Sequence, residues 1–313
     1  MSASKRKLVG LLLYIGLFAG GIALLKTGIY GLEIFVIAPW IIGAIASFIV
    51  RPQSGRAAVG VGMLATLLGT CSLLAVGLEG LLCIVMALPL ALPLGALGSW
   101  MVYMGDRSKA AASGSMAMFL LFTPAGLIWD VNAKPDIFPV HSSIEIAATP
   151  EQVWKHVVTF SDMPEPTEWY FQTGLAYPQR ARIVGTGVGA IRYCEFSTGP
   201  FVEPIETWDE PRLLQFSVAK NPAPMHEWSP YAQVLPKHLH GYLISKHGEF
   251  RLTPLGDHRT LLEGTTWYQH SLWPATYWRW WSDAIIHRIH LRVLTHIQTL
   301  AEADNGDVPV IAK

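Results

Sequence analysis

The chain has 313 residues, of which 51% are hydrophobic and 15% charged, and its formal net charge is zero. That balance offers no basic face for nucleic acid, and three cysteines, only Cys194 among them in the second half, exclude a disulfide framework. The hydrophobic excess is unusual for a wholly water-soluble protein.

The excess is concentrated at the front. Between positions 8 and 129 the only charged residues are Lys26, Glu33, Arg51, Arg56, Glu79, Asp106, Arg107 and Lys109, and every histidine lies beyond. A membrane span needs roughly 20 apolar residues at 1.5 Å rise each. Residues 8–25, 30–50, 57–76, 81–104 and 110–129 meet that length. The fifth stretch opens on small residues and contains Pro124, so four spans is the alternative count. Lys5-Arg6-Lys7 before an apolar run fits a signal peptide, but Lys26-Thr27-Gly28-Ile29-Tyr30 is a poor cleavage region and more spans follow, which favours an uncleaved first helix.

Lys5, Arg6 and Lys7, then Arg51 and Arg56, then Arg107 and Lys109 occupy alternate loops, which puts the N-terminus in the cytoplasm. Five spans place the second half outside the cytoplasm and four place it inside. The expected location is a bacterial inner (plasma) membrane with an extracytoplasmic soluble domain. No ionisable group lies near the middle of a span, against ion-coupled transport. Gly16 and Gly20 form a small-xxx-small pair suited to close helix packing, and Pro89 and Pro93 are expected to kink the fourth helix.

The expected division is a transmembrane helical domain over 1–130, a linker over 131–139, a soluble domain over 140–303 and a disordered tail over 304–313. Residues 140–147 alternate as a strand, with Ser142, Ile144 and Ile146 on one side. Thr149-Pro150-Glu151-Gln152 carries a capping box with proline at the first helical position, opening a helix to about Phe160. Strands are predicted over 181–184, 190–197, 201–208, 213–219, 239–252 and 260–268, with turns at 185–189, 209–212 and Gly256-Asp257. The stretch 220–237 reads as a long loop, and His226, His238 and His240 in and beside it are expected at the surface. From 274 to 303 the period becomes helical, with Ile286, Ile289, Val293, Ile297 and Leu300 in one stripe. The fold class is therefore an all-α membrane bundle followed by an α+β domain, in which a curved antiparallel sheet is covered by a long terminal helix.

The opening unit, Ser143-Ile144-Glu145-Ile146-Ala147-Ala148-Thr149-Pro150-Glu151-Gln152-Val153-Trp154, resembles the first strand and helix of the START-like, helix-grip superfamily (SRPBCC; polyketide cyclase and lipid-transfer relatives). The chain also resembles a narrower group of bacterial membrane-tethered members through the runs at 187–194, 196–199 and 262–268. The resemblance implies the fold and a hydrophobic small molecule or lipid as ligand. It supplies no catalytic residues.

Three groups of residues are candidates for chemistry. Asp283, His287 and His290 project from one side of the terminal helix, where two histidines and a carboxylate would hold a metal in an open site, shuttle a proton or simply hydrogen-bond to neighbouring strands; the spacing matches no metal signature. Among strand charges, Glu195 shares a face with Ile191 and Tyr193 and is the better interior candidate, while Arg192 shares the other face with Cys194 and Phe196; the sequence does not choose between the two faces. The aromatic residues Trp267, Tyr268, Trp278 and Trp281 are expected, with Tyr193 and Glu195, to line a ligand pocket. Neither a metal nor a cofactor is expected, and no protein partner is legible. The expected function is membrane-anchored binding of a hydrophobic molecule; the alternatives are a cyclase- or dehydratase-type enzyme and an envelope interaction module.

Overall fold

The structure is a computed structural model that describes residues 2–107, 124–132, 134–231 and 236–306. The chain divides into two compact units. The first comprises Met1–Lys134, Glu227–His238 and Ser271–Trp278, and the second Pro135–His226, Leu239–His270 and Arg279–Lys313.

In the first unit, α1 (Ala3–Thr27) starts where the Ser2 side chain accepts from Lys5 N and ends at Gly28, whose φ of 86° suits a residue without Cβ. A π-helical turn, Glu33–Ile37, leads directly into α2 (Ala38–Val50). Ser54 caps α3 (Gly55–Ala75), and α4 (Leu81–Arg107) runs through both Pro89 and Pro93. Helices of 25, 18, 21 and 26 residues are thus long and apolar enough to cross a membrane. Most of the fifth apolar stretch, residues 110–123 of 110–129, lies outside the described residues; residues 124–132 are helical.

The glycines that bring helices together are not the pair the spacing predicts. Gly16 and Gly20 have nothing within 4 Å of an added Cβ. A Cβ on Gly43 would instead lie 1.8 Å from Gly95 O, one on Gly62 2.3 Å from the same oxygen, and one on Gly98 1.9 Å from Trp40 O. Backbone meets backbone there, so α4 packs closely against α2 and α3 and any side chain forces them apart. Ser99 Oγ adds a buried 2.6 Å hydrogen bond to Ala58 O. Gly43→Ala should lower thermal stability in detergent by about 1–3 kcal/mol through overpacking, whereas Gly16→Ala should leave it unchanged.

The second unit is a seven-stranded antiparallel sheet of order β1-β7-β6-β5-β4-β3-β2. Its strands are β1 (Ile137–Ile146), β2 (Pro178–Val184), β3 (Ile191–Phe196), β4 (Gly199–Asp209), β5 (Leu213–Ser217), β6 (Leu243–Gly256) and β7 (Arg259–His270). β1 starts inside the stretch read as linker because Ile137, Phe138 and Pro139 already pair with Gln269, Tyr268 and Trp267. Pro139 is tolerated because β1 is an edge strand. The β6–β7 turn places Gly256, Asp257 and His258 at positive φ, the backbone that such a tight hairpin demands.

Helix α5 (Pro150–Val158) carries the anticipated cap, Thr149 N donating to Gln152 Oε1 at 2.9 Å, and buries Val153, Trp154 and Val157. A one-turn helix, α6 (Trp169–Gln172), follows. The long α7 (Ala275–Gly306) closes the chain as described, and residues 307–313 of the expected tail lie outside the described residues. Its buried stripe is Ile286, Val293, Leu294, Ile297 and Ala301. Val293, Leu294, Ile297 and Ala301 join Ile146, Leu214, Leu252 and Leu262 from the sheet in one core, while Ile286 packs with Val140 and Tyr268 in a second cluster.

Candidate functional site

Antiparallel alternation decides which side chains face α7. On β3 the buried residues are Arg192, Cys194 and Phe196, while Ile191, Tyr193 and Glu195 are only half-buried. The expected interior placement of Tyr193 and Glu195 is therefore corrected: they lie on the outer face. There Glu195 bridges Arg180 (2.7 Å) and Arg182 (2.9 Å) of β2, and the Arg182 guanidinium sits 4.2 Å from the Tyr193 ring. Both arginines hold the Glu195 carboxyl below the ordinary carboxylate range.

Between the sheet and α7 lies a partly open cavity of about 140 Å³. Phe196, Phe201, Phe216, Val218, Phe250, Ile286, Ile289 and Val293 are among its apolar lining, and Arg192, Glu203, Cys194, His290, Asn221, Ser245, His247, Glu249, Thr265 and Thr266 contribute polar groups. Arg192 and Glu203 are directly opposite residues of β3 and β4 and form an ion pair through Nη1 and Oε2. Their residues are only 1% and 6% exposed, so each charge depends on the other. Burial raises the Glu203 carboxyl above its usual range, a shift the guanidinium opposes. The rings of Phe160, Phe216 and Phe250 surround the guanidinium at 5.5–5.8 Å.

That guanidinium is not saturated. Nε and Nη2 have no hydrogen-bond partner among the described residues, and unmet donors in an interior are costly. They are also ready donors for a ligand oxygen. Cys194 beside them offers no nucleophile at neutral pH, since burial, then Glu203, pushes its thiol up to about 12.

The candidates on α7 separate. Ser142 Oγ of β1 lies 2.7 Å from His287 Nδ1 and 3.1 Å from His290 Nδ1, and Thr266 Oγ1 lies 2.8 Å from His290 Nε2. Asp283 turns elsewhere, accepting from Tyr268 Oη at 2.6 Å and Arg279 Nε at 3.1 Å. Only His290 of the three lines the cavity. Tyr268 is fully buried, with its phenol held protonated by burial and by Asp283. Trp267, its neighbour, lies on the opposite face of β7, paired with Pro139 and His247. Trp278 belongs to the first unit, where its ring packs 4.6 Å from Phe35. Trp281 is half-buried and does not line the cavity.

Burial, then the nearby His287 and His141, lowers the His290 imidazole from its ordinary 6.5 to about 4. It is neutral at pH 7. The unfolded chain takes up that proton near pH 6.5 and the folded chain does not, so the stability present above pH 6.5 is lost as pH falls toward 4. The loss is on the order of 3 kcal/mol for this one group. His290→Gln should remove that share, which urea unfolding of wild type and variant at pH 7 and pH 4.5 would show.

Comparison with known proteins follows the same outline. No curated protein matches the chain. Among solved structures, a point mutant of norcoclaurine synthase from Thalictrum flavum is 14% identical, over 56% of this chain and 99% of that one, with TM-score 0.36. A protein from Nitrosospira multiformis is 19% identical, over 54% and 99%, with TM-score 0.35. The Zhui aromatase/cyclase from Streptomyces is 16% identical, over 53% and 97%, with TM-score 0.34. Residues 138–267, which run from the start of β1 nearly to the end of β7, match the family described as polyketide cyclase / dehydrase and lipid transport. That match, confined to residues 138–267, supports the START-like, helix-grip superfamily for the sheet-bearing unit of this chain.

Proposed function

We propose that this chain is a membrane-anchored binding protein for a hydrophobic small molecule that carries a polar oxygen, held in the cavity beneath α7. The observation that carries the reading is the pairing of an aromatic and aliphatic lining with one buried guanidinium whose Nε and Nη2 are unmatched. Apolar walls extract a greasy ligand from water, and the two donors orient its carbonyl, carboxylate or phenol oxygen. A cavity of about 140 Å³ holds a group of benzene scale, so a longer ligand extends through the open side.

Anchoring is supported by the four long apolar helices and by Leu8, Leu11, Leu12, Leu13 and Ile15, which crowd the exposed surface of α1. Such a surface suits hydrocarbon as its solvent. The basic start at Lys5, Arg6 and Lys7 favours a cytoplasmic N-terminus, and a fifth span would carry the sheet domain to the far side. Purification in mild detergent followed by lipid and small-molecule mass spectrometry tests the reading. A defined hydrophobic species should co-purify with wild type and be lost from the cavity-filling variant Val218→Trp. An identical small-molecule profile from both would contradict it.

A second reading, a cyclase- or dehydratase-type enzyme, is supported by the position of His290, a neutral imidazole in the cavity wall within reach of a bound ligand. The same experiment on His290→Gln separates the two. A binding protein retains the same species, whereas an enzyme accumulates a chemically different precursor.

A further inference from the structure

The first unit contains a polar cluster that the cavity does not use. Glu79 lies between α3 and α4, Cys83 in the first turn of α4, and His238 in the short helical turn Lys237–Leu239. His238, expected at the surface from its loop position, is instead largely covered: its side chain is 10% exposed, and that of the buried Glu79 8%. Cys83 Sγ lies 2.8 Å from His238 Nε2. His238 Nδ1 lies 3.5 Å from Glu79 Oε2, too far for a hydrogen bond, and has no partner among the described residues. One ligand atom from each of the three residues falls within 4.8 Å of the others.

We propose that Glu79, Cys83 and His238 form a binding site for a divalent transition metal of the zinc class, which clips His238 to the start of α4. A thiol, an imidazole and a carboxylate are the donor types zinc accepts, and the sulfur argues against magnesium or calcium. Charge favours the same answer. Binding releases the thiol proton to solvent, so thiolate, carboxylate, neutral imidazole and a dication sum to zero in a poorly solvated place. Among the described residues, no lysine or arginine pairs with Glu79 or with nearby Glu227.

The surroundings orient the donors as an outer shell would. Tyr30 Oη donates to Glu79 Oε1 at 2.9 Å. Glu227 accepts from Leu82 N and Cys83 N, each at 3.1 Å, fixing the turn that carries the thiol. That contact also argues against Cys83 and His238 as a nucleophile and base. The amides at the start of α4 that would hold an oxyanion are already taken by a carboxylate.

The test uses the full chain in mild detergent, stripped with chelator and titrated with Co²⁺. One equivalent should bind with a thiolate-to-cobalt charge-transfer band, and Zn²⁺ should displace it. Cys83→Ser should abolish the band, His238→Ala should weaken binding at least tenfold, and Cys71→Ser and Cys194→Ser should change nothing. Should His238→Ala fail to fold, the near-isosteric Cys83→Ser decides alone. Absence of saturable Co²⁺ binding, or a band that survives in Cys83→Ser, would overturn the proposal.

Discussion

Truncating Glu203 while Arg192 stays in place should cost the sheet domain about 3–5 kcal/mol, because a guanidinium 1% exposed loses its only ion-pair partner among the described residues. Glu203→Ala is the variant, read by urea unfolding in detergent. The partner experiment is more informative. Arg192→Met with Glu203→Leu removes both charges and fills similar volume with apolar atoms, and such replacements of buried pairs range from neutral to about 4 kcal/mol stabilising. The double variant should therefore fold at least as well as wild type and still lose the bound hydrophobic species. Stability would then be separated from ligand anchoring. If the single variant unfolded no more easily than wild type, the pair would not be the buried, mutually dependent one described.

Leu294→Ala should be nearly as damaging. Leu294 is fully buried on α7, among the side chains that join helix to sheet, and Gly264 of β7 approaches it so that an added Cβ would stand 3.7 Å from Leu294 Cδ2. Leu294 also borders the cavity, so truncation enlarges an existing void as well as removing buried apolar atoms, and a loss of about 2–5 kcal/mol is expected. In a domain of this size that corresponds to a fall of roughly 5–15 °C in Tm. Differential scanning calorimetry checks it, and Leu291→Ala, at a site 38% exposed on the same helix, should move Tm far less.

Local signals in the sequence carried over to the structure where the physics is local. Thr149 and Gln152 cap α5 as their spacing requires, and the apolar stripe on the terminal helix is the buried one, extended by Leu294 and Ala301. The face of β3 was not decidable from β3 itself. Arg192-Cys194-Phe196 and Ile191-Tyr193-Glu195 are equally good period-two sets, each with one charge and two side chains able to pack. The deciding signal sits on the next strand, where Arg180 and Arg182 alternate with Ala181 and Ile183. Two arginines of one period must face water, and Glu195 pairs with them.

Long-range juxtaposition was illegible for the same reason that it is informative. Cys83 and His238 are 155 residues apart, and no spacing rule connects a helix start to a turn that far along the chain. Likewise, Gly16 and Gly20 satisfy a packing motif that tertiary structure assigns to Gly43, Gly62, Gly95 and Gly98. A motif records what a helix can do. Its neighbours decide whether it does.

The most direct measurement is an experimental density map of the full chain, purified from its own membrane in mild detergent. The account predicts continuous elongated density beneath α7, with an oxygen within hydrogen-bond reach of Arg192 Nε or Nη2. A cavity filled only by ordered water, with both nitrogens hydrated, would contradict it.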